Sequence, residues 1–203
     1  REMVEHVGVG DVQNAHRVDG PPLGGRLYGS RMRFSIRSAT TADVAVLSAL
    51  AAETFVTTFG HLYPERDLNA FLRASYAPEV LTGQVSDPGQ AWWIAEDETG
   101  AAVGYAQAGP CGLPHAEASR ADGELKRLYL KAAAQGSGLG KRLFETTLSW
   151  LEDRFDGRPL WIGVWSENAR AQALYGAYGF KKVGEYLFMV GETADPEWIL
   201  RRG

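Results

Sequence analysis

Gln135-Gly136-Ser137-Gly138-Leu139-Gly140-Lys141 is the stretch on which the reading of this chain turns. Before it, Leu125-Lys126-Arg127-Leu128-Tyr129-Leu130 alternates apolar and charged residues like a strand. After it, Leu139, Leu143, Phe144, Leu148, Leu151 and Phe155 recur at helical steps and stop short of Gly157 and Pro159. Glycines between a strand and a helix leave backbone N–H groups uncovered, and the helix N-terminus adds positive potential. The junction is therefore a cradle suited to a phosphate or pyrophosphate. Three better-known motifs do not fit it. A Walker A loop needs glycine at position 135, where Gln135 stands, and Ser or Thr after Lys141, where Arg142 follows; a dinucleotide fingerprint needs glycine at position 141. Ser137 is no nucleophile elbow, because Gln135 and Leu139 replace the flanking glycines.

Outward from the junction, further elements read clearly. Leu160 to Trp165 is a strand, Asn168 to Tyr178 a helix ending at Gly179, Phe180 to Val190 a strand, and Trp198 to Leu200 a short last strand. Upstream, Phe34 to Arg37 is strand-like. Val44, Leu47, Leu50, Ala51, Phe55 and Phe59 mark a helix over Thr41 to Phe59, and Pro64 opens a second to about Tyr76. A turn around Pro78 to Val85 leads to a hairpin of Gln90–Glu96 and Ala101–Ala108. This order predicts one mixed α/β domain over 32–203. Residues 1 to 31, polar and glycine-rich, form an N-terminal extension to which no role is assigned.

Composition narrows the function. The chain has 203 residues, 45% of them hydrophobic, enough for a closed core, and a formal net charge of -4, so no basic footprint for nucleic acid is present. Its one cysteine, Cys111, excludes an internal disulfide framework, and the four histidines are too scattered for a zinc cluster, so no metal is expected. No stretch reads as the roughly 20 apolar residues of a membrane helix or as a signal peptide, which makes the cytoplasm the expected setting and a membrane no partner.

Gln135-x-x-Gly138-x-Gly140 between strand and helix, followed by Asn168-Ala169, Leu174-Tyr175 and Gly179-Phe180, resembles the Gcn5-related N-acetyltransferase (GNAT) superfamily over roughly residues 34 to 202. One departure is Ala132, where many members carry proline. The resemblance implies a twisted, mostly antiparallel sheet of about six to seven strands flanked by helices and splayed at its two central strands. It also implies acetyl-CoA as acetyl donor. The backbone of Leu128, Tyr129 and Leu130 would pair with the pantetheine amides, and Gln135, Gly136, Ser137, Gly138, Leu139, Gly140 and Lys141 would surround the pyrophosphate. Asn168 would add a contact from the downstream helix.

By the same resemblance Tyr175 protonates the departing thiolate and touches the cofactor, although its helical stripe with Ala171, Leu174 and Tyr178 reads equally as core. Glu124 stands where similar enzymes keep a glutamate that deprotonates the amine, or else is a solvated strand charge beside Asp122. Glu53 to Phe59, Glu124 to Leu130 and Gly163 to Ala169 are similar to the PaiA-type branch, which acetylates spermidine and spermine. That makes a small-molecule amine the expected partner, with a homodimer compatible. Phe59, Tyr63, Trp92 and Trp165 are the candidate acceptor contacts, able to stack on a cation. The rival peptide N-terminal acetylases place a glutamate where this chain has Gly163. A rival of another class is a CoA-binding regulatory module without turnover.

Overall fold

A computed structural model describes residues 33–203; the extension 1–31 and the boundary at Met32 lie outside the described residues. The elements follow in the order β1 (Ser35–Ser38), α1 (Val44–Phe59), α2 (Glu65–Tyr76), α3 (Pro78–Ser86), β2 (Ala91–Glu96), β3 (Ala102–Pro110), β4 (Gly123–Leu130), α4 (Leu139–Arg154), β5 (Leu160–Trp165), α5 (Ala169–Ala177), β6 (Lys181–Val190) and β7 (Thr193–Arg202). The strands make one seven-stranded sheet in the order β1-β2-β3-β4-β5-β7-β6. All neighbours run antiparallel except β4 and β5, which are parallel.

Period-two alternation sends the strands' side chains to two cores. Leu125, Leu128 and Leu130 of β4 pack with Leu139, Leu143, Phe144 and Leu148 of α4 and with Tyr175 of α5 on one face. Tyr129 of β4, Tyr105 of β3 and Trp92 of β2 face the other way, beneath Leu47, Ala51 and Phe55 of α1. The helical run Thr41–Leu62 is 22 residues long and, by length and composition, apolar enough to cross a membrane. That corrects the sequence expectation that no such stretch exists. Its apolar stripe is what covers this second core, so packing within the domain accounts for the composition.

The last strand is longer than its sequence suggests. The strand Thr193–Arg202 pairs with β6 from Thr193 to Arg201 and with β5 from Glu197 to Arg202. Pro196 hides the pattern, because a proline ordinarily argues against a central strand. Here Pro196 stands opposite Ser166, just past the end of β5: its carbonyl accepts from Ser166 N–H at 3.0 Å, and the return bond it cannot donate falls where the β5 ladder stops.

Just ahead of β4, Asp122 is 1% exposed and ties three segments together. Its carboxylate accepts from Arg158 (Nη2 2.7 Å), Trp161 Nε1 (3.1 Å) and Ser119 N–H (3.1 Å). Asp122→Ala is expected to cost about 2 kcal/mol in urea unfolding, since it strands a buried indole N–H while the Arg158 end of the pair is already half in water. A loss below about 0.5 kcal/mol would mean the node is solvated.

Candidate active site

The central feature is a gap. β4 and β5 share three register pairs, Gly123 with Leu160, Glu124 with Trp161 and Leu125 with Ile162, and none from Lys126 onward. On its other side β4 stays paired to β3 as far as Leu130, with Lys126 as an extra residue at a bulge. The β4 backbone from Lys126 to Leu130 therefore faces β5 without a strand to pair with. Leu128 and Leu130 put their side chains in one core and Tyr129 in the other, so backbone is what the gap receives from them.

The glycine junction closes one end of this gap. Gly136 (φ 74°) and Gly138 (φ 85°) occupy the left-handed region, with open space where a Cβ would stand. Ser137 braces the turn, its Oγ donating to Ala134 C=O at 2.6 Å and accepting from Leu139 N–H at 3.3 Å. Gly140 brings the first turn of α4 close to β4; a Cβ there would sit 3.3 Å from Leu130 Cδ1. Gln135 Nε2 donates to Leu130 C=O at 3.4 Å, and Lys141 is 60% exposed, 3.6 Å from Glu145. Gly138→Ala is expected to lower stability by about 1 kcal/mol in thermal or urea unfolding, the cost of holding an L-residue left-handed.

Tyr175 is fully buried between Phe144 (ring centroids 5.0 Å apart) and Phe180 (6.5 Å), and its hydroxyl has no hydrogen-bond partner among the described residues. Burial pushes its pKa well above that of an ordinary phenol. Asn168 caps α5, its Oδ1 accepting from Ala171 N–H at 3.0 Å.

On the opposite face a narrow recess, of about 10 Å³ as the side chains stand, lies among Phe59, Tyr63, Tyr129, Trp165, Asp195 and Glu197. Three of the expected acceptor contacts meet here: Phe59 stands edge-on to Trp165 at 5.4 Å, and Tyr63 donates to Asp195. Trp92 does not join them. It stacks on Tyr105 at 6.1 Å under the Arg127 guanidinium, 5.6 Å away, farther along the sheet. Trp93 points to the other core, against Trp150.

The sequence reading missed the two carboxylates of the recess. Asp195 and Glu197 are 9% and 4% exposed, and neither has an ion-pair partner among the described residues. Tyr186 of β6 donates to Glu197 Oε2 at 2.5 Å. Burial, with Asp195 and Glu124 nearby, pushes the Glu197 carboxyl up to about 7. The signal available was Asp195-Pro196-Glu197, two acids on one face of a strand, obscured by the proline between them.

Glu124 is also buried, 3% exposed, and already engaged: Oε2 accepts from Gly112 N–H at 2.8 Å and pairs with Lys126 Nζ at 2.9 Å. Beside it, burial pushes the Cys111 thiol up to about 12.

A parallel gap in a mixed sheet, with a glycine junction at its end, is the arrangement expected from the sequence resemblance. The family model described as acetyltransferase (GNAT) family matches residues 50–180. The chain belongs to this family. An uncharacterized N-acetyltransferase of Lactobacillus delbrueckii subsp. lactis is 28% identical over 163 residues, spanning 79% of this GNAT chain and 91% of that protein. Among solved structures, the PaiA N-acetyltransferase from Thermoplasma acidophilum in complex with coenzyme A superposes with a TM-score of 0.65 at 20% identity, over 84% of this chain and 99% of that one. The ribosomal-protein-alanine N-acetyltransferase from Brucella melitensis gives 0.58 at 24% identity, over 83% and 98%. At these identities the two structures bear on the GNAT fold, not on the acceptor.

Proposed function

We propose that this GNAT enzyme transfers acetyl from acetyl-CoA to a primary amine of a small polycationic molecule of the spermidine type, by direct attack with both substrates bound. The observation that carries the acceptor class is the recess: two buried carboxylates with no cationic side chain among the described residues to neutralise them, walled by aromatic rings. Buried charge without a partner is costly, and a ligand ammonium on ring faces is the group that relieves it. The similarity to the PaiA branch points the same way. Cys111, buried and a thiol at neutral pH, offers no nucleophile for a covalent detour.

The residues present fit the cofactor. Backbone groups of Leu128 to Leu130 along the gap would hold the pantetheine amides, and N–H groups of Gly136 to Lys141 would hold the pyrophosphate. Gln135, Lys141 and the side-chain amide of Asn168 would contribute side-chain contacts at its margins. When bound, acetyl-CoA supplies an acyl group on a good leaving thiol. Tyr175 keeps its proton at all working pH and holds a buried O–H with no partner of its own, which suits it to protonate the sulfur. To Glu124, with its charge already matched by Lys126, we assign the holding of the Cys111–Leu113 segment through Gly112 N–H.

The test is release of CoA thiol when the full chain and acetyl-CoA are offered spermidine, spermine, simple monoamines and a peptide with N-terminal alanine. Turnover concentrated in the polyamines is expected. A preference for the peptide would overturn the acceptor class, and no release with any amine would favour a CoA-binding module.

A further inference from the structure

We propose that Glu197, on β7, is the catalytic residue that takes the proton from the acceptor ammonium, an inference that rests on the amine-acetylating reading above. The argument begins with register. Glu197 pairs with Trp165, the last residue of β5, on the side of β5 away from β4, and its side chain lines the recess directly, together with Trp165 of β5 and Tyr129 of β4. Two residues back on the same face, β5 carries Gly163. A Cβ built there would lie 3.0 Å from the Tyr186 hydroxyl and 3.2 Å from Glu197 Oε2. β5 has thus vacated a side-chain position, and the carboxylate of β7, with the phenol of β6, fills it.

The groups facing Glu197 decide its chemistry. Tyr186 of β6 donates to Oε2, which fixes the carboxylate and leaves Oε1 for a ligand. Tyr63, in the loop after α1, is bound to Asp195, so these two answer each other. Glu124 on β4 has its charge matched by Lys126. What remains around Glu197 is negative or neutral, and buried, which both draws an ammonium in and raises the carboxyl to about 7, where a base works best at neutral pH. Asp195 lies two residues beyond the point where β5 ends, which makes it a charge that holds the cation at the outer part of the recess.

The step is a single proton transfer. One N–H bond of the ammonium breaks, an O–H bond forms on Glu197, and the electron pair stays on nitrogen for attack on the thioester. Glu197 then returns the proton to solvent. No oxidant or reductant is involved.

The experiment compares kcat/KM for spermidine between pH 5.5 and 9.5 in the unmodified chain, in Glu197→Gln and in Glu124→Gln, with acetyl-CoA affinity measured by calorimetry as a check on folding. The unmodified protein is expected to show an acidic limb centred near pH 7. Glu197→Gln should bind acetyl-CoA normally, lose about 100-fold or more in kcat/KM at neutral pH, and recover with rising pH as the amine, of pKa near 10.4, loses its own proton to water. Glu124→Gln should keep the limb. If Glu197→Gln keeps the limb, or Glu124→Gln abolishes it, Glu197 is not the base and the acetyltransferase reading still stands. If the unmodified protein acetylates no amine, that reading falls and this proposal with it. Should Glu197→Gln fail to fold, the Glu197 carboxyl carbon followed by NMR in the unmodified chain decides: a midpoint near 7 that drops when spermidine binds supports the role, and one below 5 overturns it.

Discussion

Replacing Tyr175 with phenylalanine is expected to lower kcat by on the order of 10- to 1,000-fold while leaving the protein at least as stable as before. The two halves of this expectation have separate causes. For stability, the Tyr175 hydroxyl is buried without a hydrogen-bond partner, and removing such a group relieves a desolvation cost while the ring keeps its contacts with Phe144 and Phe180. For activity, the same hydroxyl is the acid proposed above for the departing thiolate, and phenylalanine removes it. A core aromatic with no part in the chemistry would show the same stability and leave kcat unchanged. Steady-state kinetics and a melting curve on one variant therefore separate the roles; unchanged kcat with unchanged KM would return Tyr175 to the core. Because burial raises the phenol far above its usual range, no alkaline limb assignable to Tyr175 should appear below about pH 10.

The second large effect concerns stability against pH. Glu197 sits at about 7 in the fold against 4.5 as a free side chain, so folding favours its protonated form. Its contribution is complete below about pH 4.5 and is lost as pH rises through 7, a change on the order of 3 kcal/mol by pH 8. Glu197→Gln, which stays neutral throughout, should match the parent protein in urea unfolding near pH 5 and exceed it at pH 8. Asp43, held down to about 2 by Arg37, acts in the opposite direction and only in acid well below this window. If the two proteins keep the same stability difference at both pH values, the carboxyl is not buried as described.

The glycine junction proposed to hold the cofactor was legible because its pattern is local. A strand, three glycines and a helix in consecutive residues state an anion cradle by spacing alone, and the observed positive φ at Gly136 and Gly138 is what that spacing demands. Helix α1 was legible for a similar reason, its apolar positions falling at steps of three and four. The acceptor half is assembled from residues brought together by strand register. Phe59 and Trp165 were found as aromatics, yet Trp92, equally plausible in sequence, lies under Arg127, because nothing in a linear pattern says how far along a sheet a residue falls. Glu197 went unseen since Pro196 masked the strand that carries it. Glu124 was singled out by position, but whether a carboxylate is free or already paired depends on Lys126 and on the Gly112 segment folding back over it.

The three-pair seam between β4 and β5 divides the labour of this enzyme between two pieces of chain. On one side lie the glycine junction and the β4 edge. On the other, Tyr186, Phe188, Asp195 and Glu197 all belong to a single β6–β7 hairpin whose strands meet at Val190 and Thr193. The proposed base, the second carboxylate and the tyrosine that holds the base thus lie within one contiguous stretch, so if that proposal holds, the charge and proton-accepting power of the recess can be altered there with the cradle left untouched.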